Sequence, residues 1–440
     1  MSPVWIYRMI RYGRYRAGWS HRMGAVPIRY GLQPIIWIHG VSLGEVNSIE
    51  ALVDELHCQL PDYRAVISST TETGMAAAKR LFAPDHLVFH WPLDLGVFVR
   101  RALNRMRPDL VVLVEGEVWP NFLAACNNRG IPVVVVNARL GADKGYPRYK
   151  AIRPLARRLM FARLDAVGVQ DEVYAERFVS LGVEPARIHV TGMMKFDSAE
   201  VSDSVEGADK LAASLGIGPE CELVVAGGTG PGEEKLLLEL WSGLRGNHHK
   251  ARLAIIPRKP ERFDEVSELI RSFGYTPLRR SENPDGRTAS ACGANEVICG
   301  DTMGELRKFY ALAACVFVGR SLVAMGGSDM IEAAALGKAV AFGPHTYNFP
   351  QADKLAANGC VRVADACELA RQIDLWLSDS SAAQSAGRQA QQYVSDQRGA
   401  SRRNVEMICG VIGRVPAVAP GAIATEALAE PATGQSSQGN

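Results

Sequence analysis

The sequence lacks the simplest signatures of a disulfide framework, a metal clamp and a membrane span. None of its nine cysteines forms a C-x-x-C pair, which favours reduced, buried thiols over disulfides or a zinc site. No D-x-D triplet occurs, so the usual sequence argument for a metal ion on a nucleotide diphosphate is missing. No run of 18 apolar residues is present that would cross a bilayer as a helix. The formal net charge of +2 gives no case for nucleic-acid binding.

Acidic residues are absent from the first 44 residues, which contain six arginines. Tryptophans and tyrosines are interleaved with these arginines, and the apolar core of a cleaved signal peptide is missing. This composition fits a segment lying on an anionic membrane surface, and it fits equally a solvated basic helix packed on the protein. We predict a basic, membrane-proximal segment over residues 1–30. The arginines are Arg8, Arg11, Arg14, Arg16, Arg22 and Arg29.

The rest of the chain alternates short apolar runs with helical periodicity, which is typical of parallel sheets covered on both faces. We therefore predict an α/β protein with two Rossmann-like domains facing a cleft. The predicted parts are a first, acceptor-binding domain over residues 31–197, a linker over 198–218, a second, nucleotide-binding domain over 219–380, a C-terminal helix over 381–412 and a disordered tail over 413–440. The predicted strands are 34–39, 64–68, 110–114, 132–136, 166–169, 188–191, 222–226, 252–256, 296–299, 315–318 and 339–342.

A glycine-rich stretch in the second domain is typical of a phosphate-binding loop. Gly326 and Gly327 follow an apolar strand and precede a helix predicted over residues 329–336. Such an arrangement binds phosphate because the free N–H groups of the helix start face the anion. A tight turn in an ordinary αβ unit explains the glycines equally well. Glu332 favours binding, because a carboxylate one turn into the helix can accept hydrogen bonds from ribose hydroxyls.

The segment from Ser42 to Glu45 has a structural and a functional interpretation. It reads as a capping box, with Ser42 as the N-cap and Glu45 at the third helical position. In the functional interpretation, Glu45 projects from the helix start into the cleft and acts as a general base. The helix dipole is then expected to keep its carboxylate ionised.

Further polar groups of the first domain follow predicted strands, where ligands bind in open parallel sheets. Glu115 and Glu117 come directly after the strand 110–114, beside Trp119. A solvated loop has no need of two acids next to a tryptophan, so we favour a functional role. Arg139 follows the next strand and repeats the pattern more weakly.

The second domain carries three comparable segments. Arg258 follows a strand and is well placed to pair with a phosphate. The loop at 227–232 resembles a phosphate loop but lacks the Gly-Lys-Ser/Thr ending of a P-loop. Residues 301–305 precede a helix and fit a simple cap.

Taken together, these motifs resemble the Kdo transferases, which move 3-deoxy-D-manno-octulosonic acid (Kdo) from CMP-Kdo onto the lipid A precursor. The resemblance implies a two-domain GT-B glycosyltransferase fold, an inverting reaction that needs no metal or other cofactor, and attachment to the cytoplasmic face of the inner membrane. The implied partners are CMP-Kdo, a lipid A precursor of the lipid IVA type and an anionic membrane surface. The strings that carry it, in the family's order, are WIHGVSLGEVNS, EGEVWPNF, VVNARL, MMKFD, AGGTGPGEE, IPRKPERF, GDTMGEL and GGSDMIEAAALGKAVAFGPHTYNF.

Residue by residue, the resemblance assigns the general base to Glu45 and transition-state stabilisation to Glu115 and Lys195. We assign acceptor binding to Ser42, Gly44, Glu117 and Arg139. The residues that match the nucleotide-holding segments are Pro257, Arg258, Met303, Gly304, Glu305, Gly326, Gly327, Asp329, Met330, Ile331 and Glu332.

The chain departs from the family pattern mainly in the second domain. The family usually has GGHNPLEP where this chain has GGSDMIEA, and it usually has Ser and His at the positions of Gly228 and Gly230. An altered donor or acceptor is one interpretation of these changes. The alternative functions are a related GT-B transferase or epimerase that uses a UDP-sugar, and a catalytically silent protein that binds only nucleotide or membrane. The transmembrane anchor frequent in the family is expected to be absent or truncated.

Overall fold

The computed structural model describes residues 17–142, 145–284 and 295–413, and these form two seven-stranded parallel sheets. The first sheet has the spatial order β3-β2-β1-β4-β5-β6-β7 and the second β10-β11-β9-β8-β12-β13-β14. The strands are β1 Ile35–His39, β2 Arg64–Ser69, β3 Leu87–His90, β4 Leu110–Val114, β5 Val133–Ala138, β6 Ala166–Val169, β7 Ile188–Val190, β8 Glu222–Thr229, β9 Ala251–Pro257, β10 Thr276–Arg279, β11 Glu296–Cys299, β12 Ala313–Val318, β13 Ala339–Phe342 and β14 Val361–Arg362.

Each sheet buries both of its faces, which is why its central strands are continuous apolar runs. In β1, Trp37 packs into one hydrophobic cluster while Ile36 and Ile38 pack into another on the opposite face. The covering helices are α1 Trp19–Arg22, α2 Leu43–Gln59, α3 Glu72–Phe82, α4 Gly96–Met106, α5 Pro120–Asn127, α6 Gly145–Ala151, α7 Arg153–Leu159, α8 Glu172–Leu181, α9 Ala208–Leu215, α10 Glu233–Asn247, α11 Phe263–Ser272, α12 Leu306–Leu312, α13 Ile331–Ala335, α14 Ala352–Ala356, α15 Ala366–Ser378, α16 Ser380–Gln397 and α17 Ala400–Ile412.

All eleven predicted strands are present, and β4, β6, β11 and β13 have the predicted bounds. Sequence analysis missed β3, β10 and β14, each of which lies at the edge of its sheet. An edge strand is covered on fewer sides, so part of its length is exposed and its apolar run is interrupted. In β10 and β14 the burial pattern accordingly contains exposed positions.

The predicted linker and the predicted single C-terminal helix both need correction. The segment 198–218 contains α9, whose Leu211 and Leu215 are buried in the core of the second domain. The C-terminal helix is two helices, α16 and α17, because the chain turns at Gly399 with a φ of 90°. The chain passes from the first domain to the second after Asp197 and returns at Gly399. Asp197 Oδ1 accepts from the Gly399 N–H at 2.6 Å, so a hydrogen bond joins these two connections. Residues 414–440 of the predicted tail lie outside the described residues.

The predicted basic segment lies partly outside the described residues, which begin at residue 17. Of its arginines that are described, Arg22 is 1% exposed and donates to the Thr70 carbonyl at 2.8 Å. Arg29 forms an ion pair of 3.0 Å with Asp109. These two arginines therefore serve the fold, which fits the packed-helix alternative for this part of the segment. No helix in the described part of the chain is long and apolar enough to cross a membrane.

Candidate active site

Three glutamates and an arginine meet at the carboxyl ends of β1, β4 and β5. Glu45 lies in the first turn of α2, and Glu115 and Glu117 follow β4. Arg139 follows β5, and its Nε donates to Glu115 Oε2 at 2.7 Å. Glu115 has a φ of 64°, in the left-handed region that few residues other than glycine adopt. The charges of Glu115 and Glu117 both act on Glu45, so the predicted strand ends do assemble one site, called here the acidic cluster (Glu45, Glu115 and Glu117).

Glu45 is both a helix cap and a buried member of the acidic cluster. Its Oε1 accepts from Ser42 Oγ and its Oε2 from the Val41 N–H, each at 2.8 Å. Ser42 Oγ accepts in turn from the Glu45 N–H at 3.4 Å. The predicted capping contacts are thus present, although the carboxylate reaches the residue before the N-cap. Gly44 is exposed beside it, and a Cβ there would meet nothing within 4 Å, so this side of the helix start is open.

The acidic cluster is electrostatically crowded. Burial, and then the charge of Glu115, raise the pKa of Glu45 to about 7. Burial and Glu115 also raise the pKa of Glu117 to about 6. The expectation that the helix dipole keeps Glu45 ionised is therefore wrong below about pH 7, because desolvation and neighbouring acids outweigh the half charge of a helix end. A carboxylate with this pKa suits proton abstraction near neutral pH.

Lys195 spans the cleft between the domains. It lies on a short 3-10 helix, Met194–Phe196, at the end of the first domain. The Met194 N–H donates to Asn137 Oδ1 at 3.1 Å, which ties this helix to the end of β5. The Lys195 ammonium Nζ lies 2.9 Å from Asp329 Oδ2 of the second domain. Sequence analysis proposed both residues for the site, but it gave them different roles and did not predict their contact.

A pocket of about 230 Å³ opens at the carboxyl ends of the second sheet's strands. Pro257, Arg258, Met303, Gly304 and Glu332, all proposed from the sequence, line it. The complete lining is Gly228, Ile256, Pro257, Arg258, Thr302, Met303, Gly304, Leu306, Arg307 and Glu332.

The charged groups of this pocket form a mixed environment. Arg258 is exposed and has no ion-pair partner among the described residues, so its guanidinium is available to a ligand. Glu332 is exposed to the pocket, but the surrounding protein removes enough water to raise its pKa. The charge of Asp329 raises this pKa further, while the nearby cations, including Arg307, lower it. Sequence analysis missed Arg307, which lies two residues beyond the proposed 303–305 segment. Its position just after that segment could have indicated a second cation in the pocket.

The glycine-rich loop differs from the predicted phosphate site. Gly326 has a φ of 87°, and a Cβ there would lie 2.0 Å from Asn348 Nδ2, so the close turn does require glycine. However, α13 begins at Ile331, and Asp329 Oδ1 accepts the Ile331 N–H at 3.1 Å. The side chains of Met330 and Ile331 are buried in the core. The helix start is therefore capped internally, and these two residues offer a ligand only their backbone.

Two glutamates in or beside segments that the sequence suggested for ligand binding instead bind other groups of the protein. Glu305 accepts from Arg280 Nε at 3.0 Å and from Thr302 Oγ1 at 2.5 Å, so it organises the pocket rim. Glu233, the first residue of α10 directly after the glycine-rich loop 227–232, is fully buried. Its carboxylate accepts backbone N–H groups from Gly230 at 3.0 Å and from the loop after β12, including Ser321 at 2.8 Å. A protein carboxylate thus occupies the place of an anion in that loop.

The chain is similar to known proteins across both domains. Residues 17–198 match the family described as 3-deoxy-D-manno-octulosonic-acid transferase (kdotransferase). Over 427 residues the chain is 32% identical to the 3-deoxy-D-manno-octulosonic acid transferase of Bordetella pertussis, covering 92% of this chain and 95% of that protein. It is 30% identical over 380 residues to the protein of that name from Haemophilus influenzae, covering 85% and 86%.

Solved structures support the fold. UDP-GlcNAc 2-epimerase from Neisseria meningitidis superposes with a TM-score of 0.59 over 86% of this chain and the whole of that chain. At 14% identity this likeness concerns the fold alone. The predicted two-domain GT-B architecture is confirmed.

Proposed function

The chain belongs to the family of Kdo transferases, and we propose that it transfers Kdo from CMP-Kdo to a lipid A precursor of the lipid IVA type. A primary hydroxyl of the acceptor gives its proton to Glu45 while its oxygen bonds to the anomeric carbon of Kdo. The bond from that carbon to CMP breaks at the same time, and CMP leaves with the electron pair. One such displacement inverts the anomeric configuration.

The observation that supports this proposal most strongly is that the two domains place different chemical groups on opposite sides of the cleft. The first domain offers a buried carboxylate with a pKa of about 7, as a base for the acceptor. The second domain offers a pocket with an unpaired arginine and a carboxylate, as groups for a nucleotide's phosphate and ribose. Glu115 and Lys195 are proposed to stabilise the transition state, and Arg139 and Glu117 to contact the acceptor.

The direct test is a mass spectrum of the product formed from CMP-Kdo and a tetraacylated lipid A precursor. An acceptor mass increased by Kdo supports the proposal. Absence of any product, with CMP still bound, would instead favour the catalytically silent alternative. A thermal shift with UDP larger than that with CMP would favour a UDP-sugar enzyme.

Arg258→Ala should weaken CMP binding by about one to two decades. The reason is that an exposed, unpaired guanidinium makes a charge-assisted contact of roughly 1.5–3 kcal/mol with phosphate. Calorimetry with CMP measures the loss, and cytidine, which lacks the phosphate, should bind both proteins alike. Arg271→Ala, at an exposed arginine of α11 in the same domain, is the control for a general charge effect. Unchanged CMP affinity in Arg258→Ala would contradict the assignment.

We further propose that the enzyme meets its lipid acceptor through an exposed face of α6 and α7. Between residues 140 and 164 the chain contains seven Lys or Arg and one acid. Ile152 and Leu155 are 48% and 53% exposed there. The phenol of Tyr149, on the core-facing side of α6, has a pKa raised by burial and then by Glu117, so α6 lies near the acidic cluster. The basic-apolar face comprises Arg148, Lys150, Ile152, Arg153, Leu155, Arg157 and Arg158.

The chemistry of this face fits an anionic bilayer. None of its five cations has an ion-pair partner among the described residues. Each lysine or arginine near an anionic surface contributes about 1 kcal/mol, and exposed aliphatic side chains add interfacial burial. The basic-apolar face is therefore the surface that we expect to contact the bilayer.

The double substitution Arg153→Ala, Arg158→Ala should weaken binding to anionic vesicles about thirtyfold at low salt, since two contacts of about 1 kcal/mol are lost. Sedimentation with vesicles containing anionic lipid measures this, and neutral vesicles should show no difference. The matched control is Arg371→Ala, Arg388→Ala, two exposed arginines of the second domain. Equal losses in both double variants would mean that the attraction follows net charge and not this face.

A further inference from the structure

Lys195 and Asp329 form an ion pair that joins the two domains within the described part of the active site. The ammonium and carboxylate are 2.9 Å apart, and their side chains are 38% and 30% exposed. A partly exposed pair of this kind is weak, with a typical value of about 0.2–1 kcal/mol. A weak pair at a ligand site can be exchanged for a pair with the ligand.

Each partner also has a contact outside the ion pair, and both of these contacts are made by the second domain. Lys195 Nζ lies 4.5 Å from the centroid of the Phe349 ring, a cation–π contact that persists without Asp329. On the other side, Asp329 uses Oδ1 to accept the Ile331 N–H, which leaves Oδ2 for Lys195. The ammonium therefore has an anchor independent of the ion pair, and Asp329 has a second function as a cap.

The surroundings of Asp329 oppose a third negative charge. Glu332 lies close enough that Asp329 raises its pKa, while Lys195 and Arg258 lower it. An oxyanion of a donor in this pocket can pair with Arg258, which has no ion-pair partner among the described residues, whereas the nearby Lys195 is already paired with Asp329. Asp329 thus holds the position on Lys195 that an anionic group of the donor would otherwise take.

We propose that Asp329 and an oxyanion of the donor compete for the Lys195 ammonium. This rests on the proposed function, in which the donor is an anionic CMP-sugar. Binding exchanges one partner of Lys195 for another, so the ammonium is delivered to the donor from a fixed position. Asp329 thereby limits the affinity for anionic donors, whereas a neutral ligand, which does not break the pair, is unaffected.

Asp329→Asn tests the exchange by binding alone, so its outcome does not depend on sugar transfer. Asn retains a side-chain oxygen for the Ile331 N–H but gives up the charge. Calorimetry should show CMP or CMP-Kdo binding about 1.4- to fivefold more tightly than to wild type, which corresponds to the roughly 0.2–1 kcal/mol of the lost pair. Cytidine should bind both proteins equally. A gain with CMP identifies the phosphate as the competing oxyanion, and a gain only with CMP-Kdo identifies the sugar carboxylate.

Two comparisons separate exchange from a general field effect. In a Lys195→Met background the gain from Asp329→Asn should shrink, because there is no pair to break. Asp171→Asn removes another ion pair between the domains, 3.3 Å from Lys354, and should leave CMP affinity unchanged. An equal gain in the Lys195→Met background, or weaker CMP binding by Asp329→Asn, would overturn the exchange. The latter result would mean that Asp329 contacts the donor directly. Failure of wild-type enzyme to transfer Kdo would count against the proposed function instead.

Discussion

Glu45→Gln is expected to slow sugar transfer about a hundredfold to ten-thousandfold while the protein stays folded and binds CMP normally. The acceptor's primary hydroxyl is a poor nucleophile until a base takes its proton. Glu45 is buried beside the cleft, and its pKa of about 7 makes it a competent proton acceptor at neutral pH. Gln keeps the shape of the side chain and removes its basicity. Single-turnover rate and CMP affinity on one preparation give the two readouts.

The same substitution separates catalysis from capping. A Gln side chain can still accept the Val41 N–H with its oxygen and donate its amide N–H to Ser42 Oγ, and Gln is also allowed at this position of a capping box, so only a small loss of stability follows. Capping alone therefore predicts a nearly normal rate. Glu50→Gln, at an exposed position of the same helix, controls for the change of helix charge. A near-normal rate in Glu45→Gln would exclude Glu45 as the base.

Stability gives Glu45→Gln a second signature with a defined sign. The folded pKa of about 7 lies above the ordinary value of 4.5. Glu45 therefore contributes stability that is fully present below about pH 4.5 and lost as the pH rises through about 7. The melting temperature of wild type should fall more steeply over that range than that of Glu45→Gln. Parallel melting curves for the two proteins would contradict the raised pKa.

The sequence allowed the strand ends to be predicted, because a parallel strand buried on both faces leaves an unambiguous apolar run. Glu115 and Arg258 were found for that reason, since each follows such a run. Of the four edge strands in the described sheets, β3, β10 and β14 lacked this signal, whereas β7 was predicted. Individual carboxylates were harder to interpret, because capping and catalysis call for the same residue at Glu45.

What sequence analysis missed depends on contacts between distant segments. Lys195 and Asp329 are far apart in the chain, and their ion pair follows from how the domains meet. The same holds for Glu233, whose partners around Ser321 come from another loop of the second sheet. A glycine-rich loop looks the same in sequence whether a phosphate or a neighbouring carboxylate takes its N–H groups. Burial of the acidic cluster, and with it the raised pKa of Glu45, likewise needs the folded chain.

Glu115→Gln is expected to lower the transfer rate about a hundredfold, a loss typical of removing one electrostatic contact to a transition state. Glu115 can contribute to the rate in two ways. In the first, Glu115 stabilises the transition state itself. In the second it acts through Glu45, whose pKa it raises, so that its removal leaves a weaker base. The side chain that Glu115 binds, Arg139, then also faces Glu45 without a partner and lowers that pKa further.

The double variant of Glu45 and Glu115, measured together with the pH dependence of the rate, decides between these mechanisms. If Glu115 acts through Glu45, the rising limb of the profile moves to lower pH in Glu115→Gln, and the loss is greatest on the plateau above about pH 7. In a Glu45→Gln background, Glu115→Gln should then lower the transfer rate little further, because the base whose pKa Glu115 raises has been removed. If Glu115 contacts the transition state directly, the limb shifts but the two losses multiply. A rate equal to wild type at every pH would remove Glu115 from the mechanism, and its left-handed backbone and its bond to Arg139 would then serve only to hold the end of β4 against β5.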